Sequence, residues 1–403
     1  MQKRELIKAN NRGNVIEIIR NKRIVYRAEL MRMTGLSMPT IMKITDGFIQ
    51  AGLVIDAGKG ESSGGKPPVL LKVVPQARLF IGMDISGAQF KCIIMDLCGD
   101  VVYQKFCLRR DLKMKESVTE TIIDFIEETI KEAAIDRDKL SGLGLSVPGI
   151  VEASNGIVIA SIDYNLKNKD LCTPLTEHFG IPTYVENSSR TMAVGEKWFG
   201  KGEKSDNFAL VTIGHGIGAA FIINGEIYDG FYKLSGEVGH MVIDPNGPVC
   251  KCGKRGCLEA LASGNAIKAQ AIDLVNQDKD SKILELVGGD QSKIDVDVIF
   301  RAETAGDPLA CKIVGNAIKY LAIGLENLIS ILDCNLVVLS GYVVKDKVDF
   351  VERVKKKIND NRRLYYGEKP IDIKLSSMGE EAAVIGAAMI PLRNWVISGE
   401  ENS

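Results

Sequence analysis

Between Gly236 and Glu259 the chain reads G-E-V-G-H-M-V-I-D-P-N-G-P-V-C-K-C-G-K-R-G-C-L-E. One imidazole and three thiols, His240, Cys250, Cys252 and Cys257, fall within eighteen residues. Zinc takes four soft or borderline donors in a tetrahedron, and one His with three thiolates is a standard structural set. Gly253 and Gly256 let the backbone double back far enough for three sulfurs to converge on one ion. So tight a C-x-C-x4-C spacing with a nearby His argues against scattered buried thiols. Four protein ligands leave no open position for a catalytic water, so the expected cofactor is a structural Zn2+. Glu237 and Glu259 bracket the cluster, and the metal would then shape a polar pocket.

The string G-E-x-G-H followed by C-x-C-G-x-x-G-C-L-E resembles the signature of the ROK family (repressors, open reading frames and kinases). The resemblance implies an α/β chain with a two-lobed actin-like ATPase (ribonuclease H-like) fold. It further implies that His240, Cys250, Cys252 and Cys257 hold the zinc. By the same resemblance Asn187, Glu237, Glu259 and the second ring nitrogen of His240 face a bound monosaccharide. Val147-Pro148-Gly149-Ile150-Val151-Glu152 is similar to a family loop that lines the sugar site.

Against that family pattern, the positions that would serve ATP depart one after another. The glycine-rich hairpin D-x-G-G-T stands here as Asp84-Ile85-Ser86-Gly87-Ala88-Gln89, with a Cβ at 86 that obstructs close approach to phosphate. The general base, Asp in the family's E-N-D, is replaced in Glu186-Asn187-Ser188-Ser189-Arg190, and an unassisted serine is no base near neutral pH. The loop G-T-G-x-G becomes Gly214-His215-Gly216-Ile217-Gly218. The adenosine loop becomes Leu339-Ser340-Gly341-Tyr342, where the tyrosine would crowd an adenine. Losing a base alone removes about 10²–10⁴ in rate. Hydrogen-bonding positions without a base or phosphate cradle describe a receptor, so no catalytic residue is expected. Arg190 and His215 have no role in this reading.

The N-terminal segment supplies a second kind of chemistry. Residues 1–75 carry 13 Lys+Arg against 6 Asp+Glu, whereas the rest carries 38 against 46. A basic arm on an acidic body points to a polyanion partner for that arm alone. Val15, Ile18 and Ile19 form a helical stripe in 11–20, and 27–33 makes a short helix closed by Thr34-Gly35-Leu36. Ser37 is expected to cap a third helix with Pro39 in its first turn. Ile41, Ile44 and Phe48 would face inward, leaving Thr40, Met42 and Lys43 outward near the helix start. This is helix-turn-helix geometry for a major groove. Two short strands around K-G-E-S-S-G-G-K-P-P then form a wing, and Gly64-Gly65-Lys66-Pro67 resembles the tip found in ROK repressors. The expected DNA-binding residues are Ser37, Thr40, Met42, Lys43, Gly65 and Lys66.

Beyond residue 79 the pattern predicts a meander (79–84, 91–96, 101–108), a helix over 116–134, and strands over 140–146 and 181–185. Further on it predicts a strand over 208–213, a helix over 310–332, a strand over 336–339 and a last helix over 380–390. The expected domains are 1–75 (winged helix-turn-helix), 76–198 with 380–396 (first lobe), and 199–379 (second lobe with the zinc). The sequence shows no internal repeat.

Apolar stretches such as 382–392 are too short to span a bilayer, and the N-terminus lacks the apolar core of a signal peptide. Nine cysteines, six of them scattered (Cys92, Cys98, Cys107, Cys172, Cys311 and Cys334), argue for a reducing cytoplasm rather than a disulfide framework. The expected function is a sugar-responsive transcriptional repressor that binds operator DNA and a monosaccharide effector, as a homodimer or dimer of dimers. A hexose or N-acetylhexosamine kinase with an appended DNA-binding segment is the alternative, and a zinc- or thiol-based redox sensor is a third.

Overall fold

The computed structural model describes residues 3–59, 69–277, 280–366 and 370–398. They form two compact units, Met1–Thr191 with Ala383–Ser403, and Met192–Ala382.

The chain begins with α1 (Lys3–Lys22), β1 (Ile24–Tyr26), α2 (Arg27–Thr34), α3 (Met38–Gln50), β2 (Val54–Lys59) and β3 (Val69–Val73). Gly35 ends α2 in the left-handed region at φ +70°, returning its N–H to the Met31 carbonyl. Ile41, Ile44 and Phe48 bury one face of α3, with Val15, Ile19, Leu30 and Leu71 among the other buried residues of the segment. β1, β3 and β2 make a small antiparallel sheet. Three helices with such a sheet are a winged helix. Gly65 and Lys66, expected at the wing tip, lie outside the described residues.

A meander of β4 (Leu79–Asp84), β5 (Gln89–Asp96) and β6 (Val101–Leu108) follows, then α4 (Val118–Glu132) and β7 (Leu140–Val147). Three short strands, β8 (Ile150–Glu152), β9 (Ile157–Ser161) and β10 (Leu166–Asp170), precede α5 (Cys172–Phe179), β11 (Thr183–Asn187) and α6 (Ser188–Phe199). The main sheet has the order β11-β7-β4-β5-β6, with β4, β7 and β11 parallel.

The second unit holds β12 (Phe208–Ile213), β13 (Ile217–Ile223), β14 (Glu226–Ile227), α7 (Leu258–Ala262), α8 (Gly264–Gln277) and α9 (Lys282–Leu286). It continues through α10 (Val296–Thr304), α11 (Pro308–Leu332), β15 (Leu336–Ser340), α12 (Val348–Tyr366) and β16 (Asp372–Leu375). Its sheet runs β14-β13-β12-β15-β16, with β12, β15 and β16 parallel. Each sheet is thus an antiparallel meander extended by two parallel strands. The repeat that the sequence does not show exists in the topology, because topology needs only the apolar pattern and not the same side chains. α11 is long and apolar enough to cross a bilayer by composition, a stretch longer than those read from the sequence. Its apolar face is instead buried, with Ile313, Ala317, Leu321, Leu325 and Leu328 in the core.

The last helix, α13 (Glu381–Ser398), does not stop at Ile390 as expected; it runs through Pro391. A proline gives no N–H to the carbonyl four residues back, here Ala387. That carbonyl is the group against which Gly144 of β7 packs, since a Cβ at 144 would lie 1.9 Å from it. Gly82 of β4 meets Val384 in the same way, at 2.3 Å. Two glycines therefore let the helix sink onto the sheet, and the proline costs little at the point of closest approach.

Candidate effector and metal site

His240 ends a single turn of 3-10 helix, Val238–His240, and Cys257 precedes α7. Short bridges between Val242 and Cys257 and between Val249 and Arg255 fold the intervening chain back on itself. Gly256 at φ +69° is where this doubling is tightest: a Cβ there would lie 1.4 Å from the Asp244 carbonyl. Only glycine fits. The result brings His240 Nδ1 to 3.6 Å from Cys250 Sγ, and Cys252 Sγ to 3.6 Å from Cys257 Sγ. All four donor atoms lie within 4.8 Å of one another. Donors about 2.3 Å from one tetrahedral ion would be about 3.8 Å apart, so the donor set fits a single zinc. Burial, then the neighbouring sulfurs, pushes the Cys257 thiol up to about 12. The backbone N–H of Lys254 instead pulls the exposed Cys252 thiol down.

With Nδ1 turned to the sulfurs, the other ring nitrogen of His240 faces Glu237, Nε2 to Oε2 being 3.9 Å. Glu259 sits in the first turn of α7 and is buried. One of its oxygens accepts the Ile217 N–H at 3.0 Å, and the other lies 3.3 Å from Lys251 Nζ. A Cβ at Gly216 would come within 2.2 Å of that first oxygen. Glu259 is therefore tied both to the cysteine-bearing loop, through Lys251, and to the loop at 214–218. Lys251 escaped the sequence reading, because a lysine between two cysteines carries no signal of what it faces.

Asn187, in the other unit, serves as the cap of α6. Its Oδ1 accepts the N–H groups of Ser189 (2.9 Å) and Arg190 (3.2 Å), and its Nδ2 donates to the Gly149 carbonyl at 2.6 Å. Part of its hydrogen-bonding capacity is thus structural, and it is seated on the Pro148-Gly149 loop. Arg190 is buried and pairs with Glu186 at 3.2 Å, while Glu186 also accepts the Asn187 N–H at 2.7 Å. The carboxylate nearest in sequence to Ser188 is committed to that ion pair.

Three of the four altered places are filled or closed by their substituents, at Ser86, His215 and Tyr342. The Ser86 hydroxyl donates to the Asp84 carboxylate, 2.7 and 2.9 Å from its two oxygens, and the Ser86 N–H donates at 3.1 Å. Asp84 is buried, and desolvation raises its pKa to about 6 against the pull of hydrogen bonds from Ser146 and Ser86. In the second unit Tyr342 and His215 are one feature: ring centroids lie 5.0 Å apart and the Tyr342 hydroxyl is 3.4 Å from His215 Nδ1. Asn265 Oδ1 stands 3.4 Å from the same nitrogen. A Cβ at Gly264 would meet the Tyr342 hydroxyl at 2.0 Å. In the sequence His215 and Tyr342 are unrelated departures; only the fold brings them together.

In the winged helix, Ser37 has the backbone of a cap but not its hydrogen bond. Its hydroxyl lies 2.9 Å from the Thr40 hydroxyl instead, a correction to the expected capping role. Met42 and Lys43 are exposed and Thr40 is half-buried.

The site and the fold define a class, and comparison bears it out: a match to the ROK family covers residues 80–394. The chain belongs to that family. It is 28% identical to the xylose repressor of Caldicellulosiruptor bescii, over 94% of this chain and 95% of that protein. It is 30% identical to the glucokinase of Thermotoga maritima, over 79% of this chain and 98% of that enzyme. The crystal structure of a ROK family transcriptional regulator, a homolog of the E. coli MLC protein, superposes with a TM-score of 0.84 at 27% identity, each chain 98% covered.

Proposed function

We propose that this chain is a sugar-responsive, DNA-binding transcriptional regulator, a repressor of carbohydrate-use genes, whose body binds a monosaccharide without phosphorylating it. The observation that carries this is the winged helix joined to a ROK body. The repressor relative spans nearly all of this chain, whereas the kinase relative is fully covered while leaving a fifth of this chain unmatched. The filled loops at Ser86, His215 and Tyr342 and the serine at 188 support binding without transfer.

In this reading residues 1–75 are the DNA-binding domain, 76–198 with 380–396 the first lobe, and 199–379 the second. His240, Cys250, Cys252 and Cys257 hold one structural Zn2+. With Nδ1 committed to such an ion, the His240 ring would present Nε2, and with it Glu237, Glu259 and Asn187 would meet sugar hydroxyls. Thr40, Met42 and Lys43, with Ser37 at the helix start, approach the major groove, and Gly65 and Lys66 the backbone or minor groove. A homodimer would present two such helices to paired half-sites.

The test is a panel of xylose, glucose, fructose and N-acetylglucosamine in thermal unfolding, alongside an ATP-coupled phosphorylation assay. A sugar at a hundred times its Kd should stabilise by about 2.7 kcal/mol. Binding without turnover is the expected result. ATP-dependent phosphorylation above a Glu259→Ala control would replace this reading with the kinase.

A further inference from the structure

The winged helix and the body it precedes share one compact unit, and the contacts between them among the described residues include two of different kinds. Arg23, the residue after α1, is held at φ +64°, a backbone conformation a side-chain-bearing residue adopts seldom. There its guanidinium meets Asp100 fork on fork, Nη1 to Oδ2 at 2.7 Å and Nη2 to Oδ1 at 2.8 Å. Asp100 stands in the turn between β5 and β6. That turn is fixed by Asp96, whose Oδ1 accepts the Cys98 and Asp100 N–H groups at 2.8 and 3.0 Å. The second contact is steric. Gly13, mid-way along α1, sits so close to α13 that a Cβ would lie 2.7 Å from the Val396 carbonyl.

Nine helical residues lie between the two seats, a separation of about 15 Å along α1. Two contacts so far apart resist a swing of the helix more than either would alone. α1 also contributes Val15 and Ile19 to the winged-helix core, so its direction governs that of α3.

We propose that Arg23–Asp100 and Gly13–Val396 are positioning contacts that clamp the winged helix to the body, setting the angle at which paired α3 helices reach DNA. The proposal rests on the regulator reading and adds to it residues that need not touch DNA or sugar. An exposed ion pair contributes little to stability, so the effect sought is geometric.

The experiment compares wild type with Asp100→Ala, Gly13→Val and the exchanged pair Arg23→Asp/Asp100→Arg. The probes are the duplex that wild type selects from a random pool and a duplex carrying one of its half-sites. Asp100→Ala and Gly13→Val are expected to lose about tenfold or more on the paired duplex, with half-site binding changed by less than about twofold, because simultaneous engagement depends on geometry. The exchanged pair should recover paired binding. Amide exchange across α1 should quicken in Asp100→Ala while the body's stays unchanged, a readout independent of any DNA. Unchanged paired binding in Asp100→Ala, equal loss on the half-site, no recovery in the exchanged pair, or unchanged α1 exchange would overturn the proposal. A wild type that selects no duplex, with α1 exchange altered as expected, would instead overturn the regulator reading.

Discussion

Two parts of the second unit treat the same problem, bringing groups close, in opposite ways. In the loop 236–259 glycine makes room: Gly256 tucks under the Asp244 carbonyl, and four donors converge. Around 214–218 and 339–342 the room is occupied, because His215 and Tyr342 lean on each other over Gly264. Glu259 belongs to both, holding the Ile217 N–H with one oxygen and facing Lys251 with the other. Two side chains can fill one loop while its neighbour still draws four donors together, without any change to the sheets. The receptor reading proposed above rests on that difference.

The comparison breaks most severely if the donor cluster is removed. Cys252→Ser should reduce bound zinc from one per chain to near none. It should lower stability by about 3 kcal/mol or more, the scale on which loss of a structural metal acts. Metal analysis with thermal unfolding measures both; a variant stable and metal-free would show that the loop shapes itself. Next in size is Glu259→Ala, which would delete the proposed acceptors for a sugar and leave the buried Ile217 N–H without its partner. Sugar affinity should fall by about 2–3 kcal/mol, thirtyfold or more, while DNA binding persists. Titration calorimetry of wild type, Glu259→Ala and Glu259→Gln separates the two roles, since glutamine can still accept from Ile217.

How much of this was legible in the sequence depends on how local each feature is. The clustering of His240 with Cys250, Cys252 and Cys257 was legible because these donors lie within one short span with glycines between them. The β4–β6 meander, β12 and α11 were legible from periodicity, nearly to the residue. What escaped needed partners far apart in the chain: His215 with Tyr342, 127 residues on, and Arg23 with Asp100, 77 residues on. The passage of α13 through Pro391 escaped for the same reason, since the glycine that excuses it is in β7. The cap at Ser37 failed more locally, because Thr40 offered its hydroxyl a competing partner.

Asp84 offers a smaller test, in the first unit. Its pKa is raised from 3.8 to about 6, so the folded state holds its proton more tightly than the unfolded chain. Its contribution to stability is therefore present at low pH and lost as pH rises through about 6. A rise of that size corresponds to about 3 kcal/mol at most. The stability of wild type minus that of Asp84→Asn, followed by denaturant from about pH 7 down to about pH 4, should rise by about 1–3 kcal/mol. A flat difference would mean that Ser86 and Ser146 compensate the carboxylate fully for the water it has lost.

The smallest expected effect is also the most informative about the altered loops. Ser188→Asp restores a carboxylate at the position where the family's kinases carry their base. If the base were the one thing missing, turnover should rise by about 10²–10⁴. No turnover is expected. Ser86 would still cover Asp84, and the His215–Tyr342 pair would still fill the space beside Gly214 and Gly264. Nearby, Glu186 is neutralised by Arg190, so the new carboxylate would meet a local charge balance already closed. Adding His215→Thr and Tyr342→Gly to Ser188→Asp, and then measuring ATP binding before activity, tells the steps apart. Binding that appears only in the triple variant would show that the two side chains, not the missing base, are what keep nucleotide out. Phosphorylation by Ser188→Asp alone would show that the pair leaves room after all, and that one residue separates receptor from enzyme.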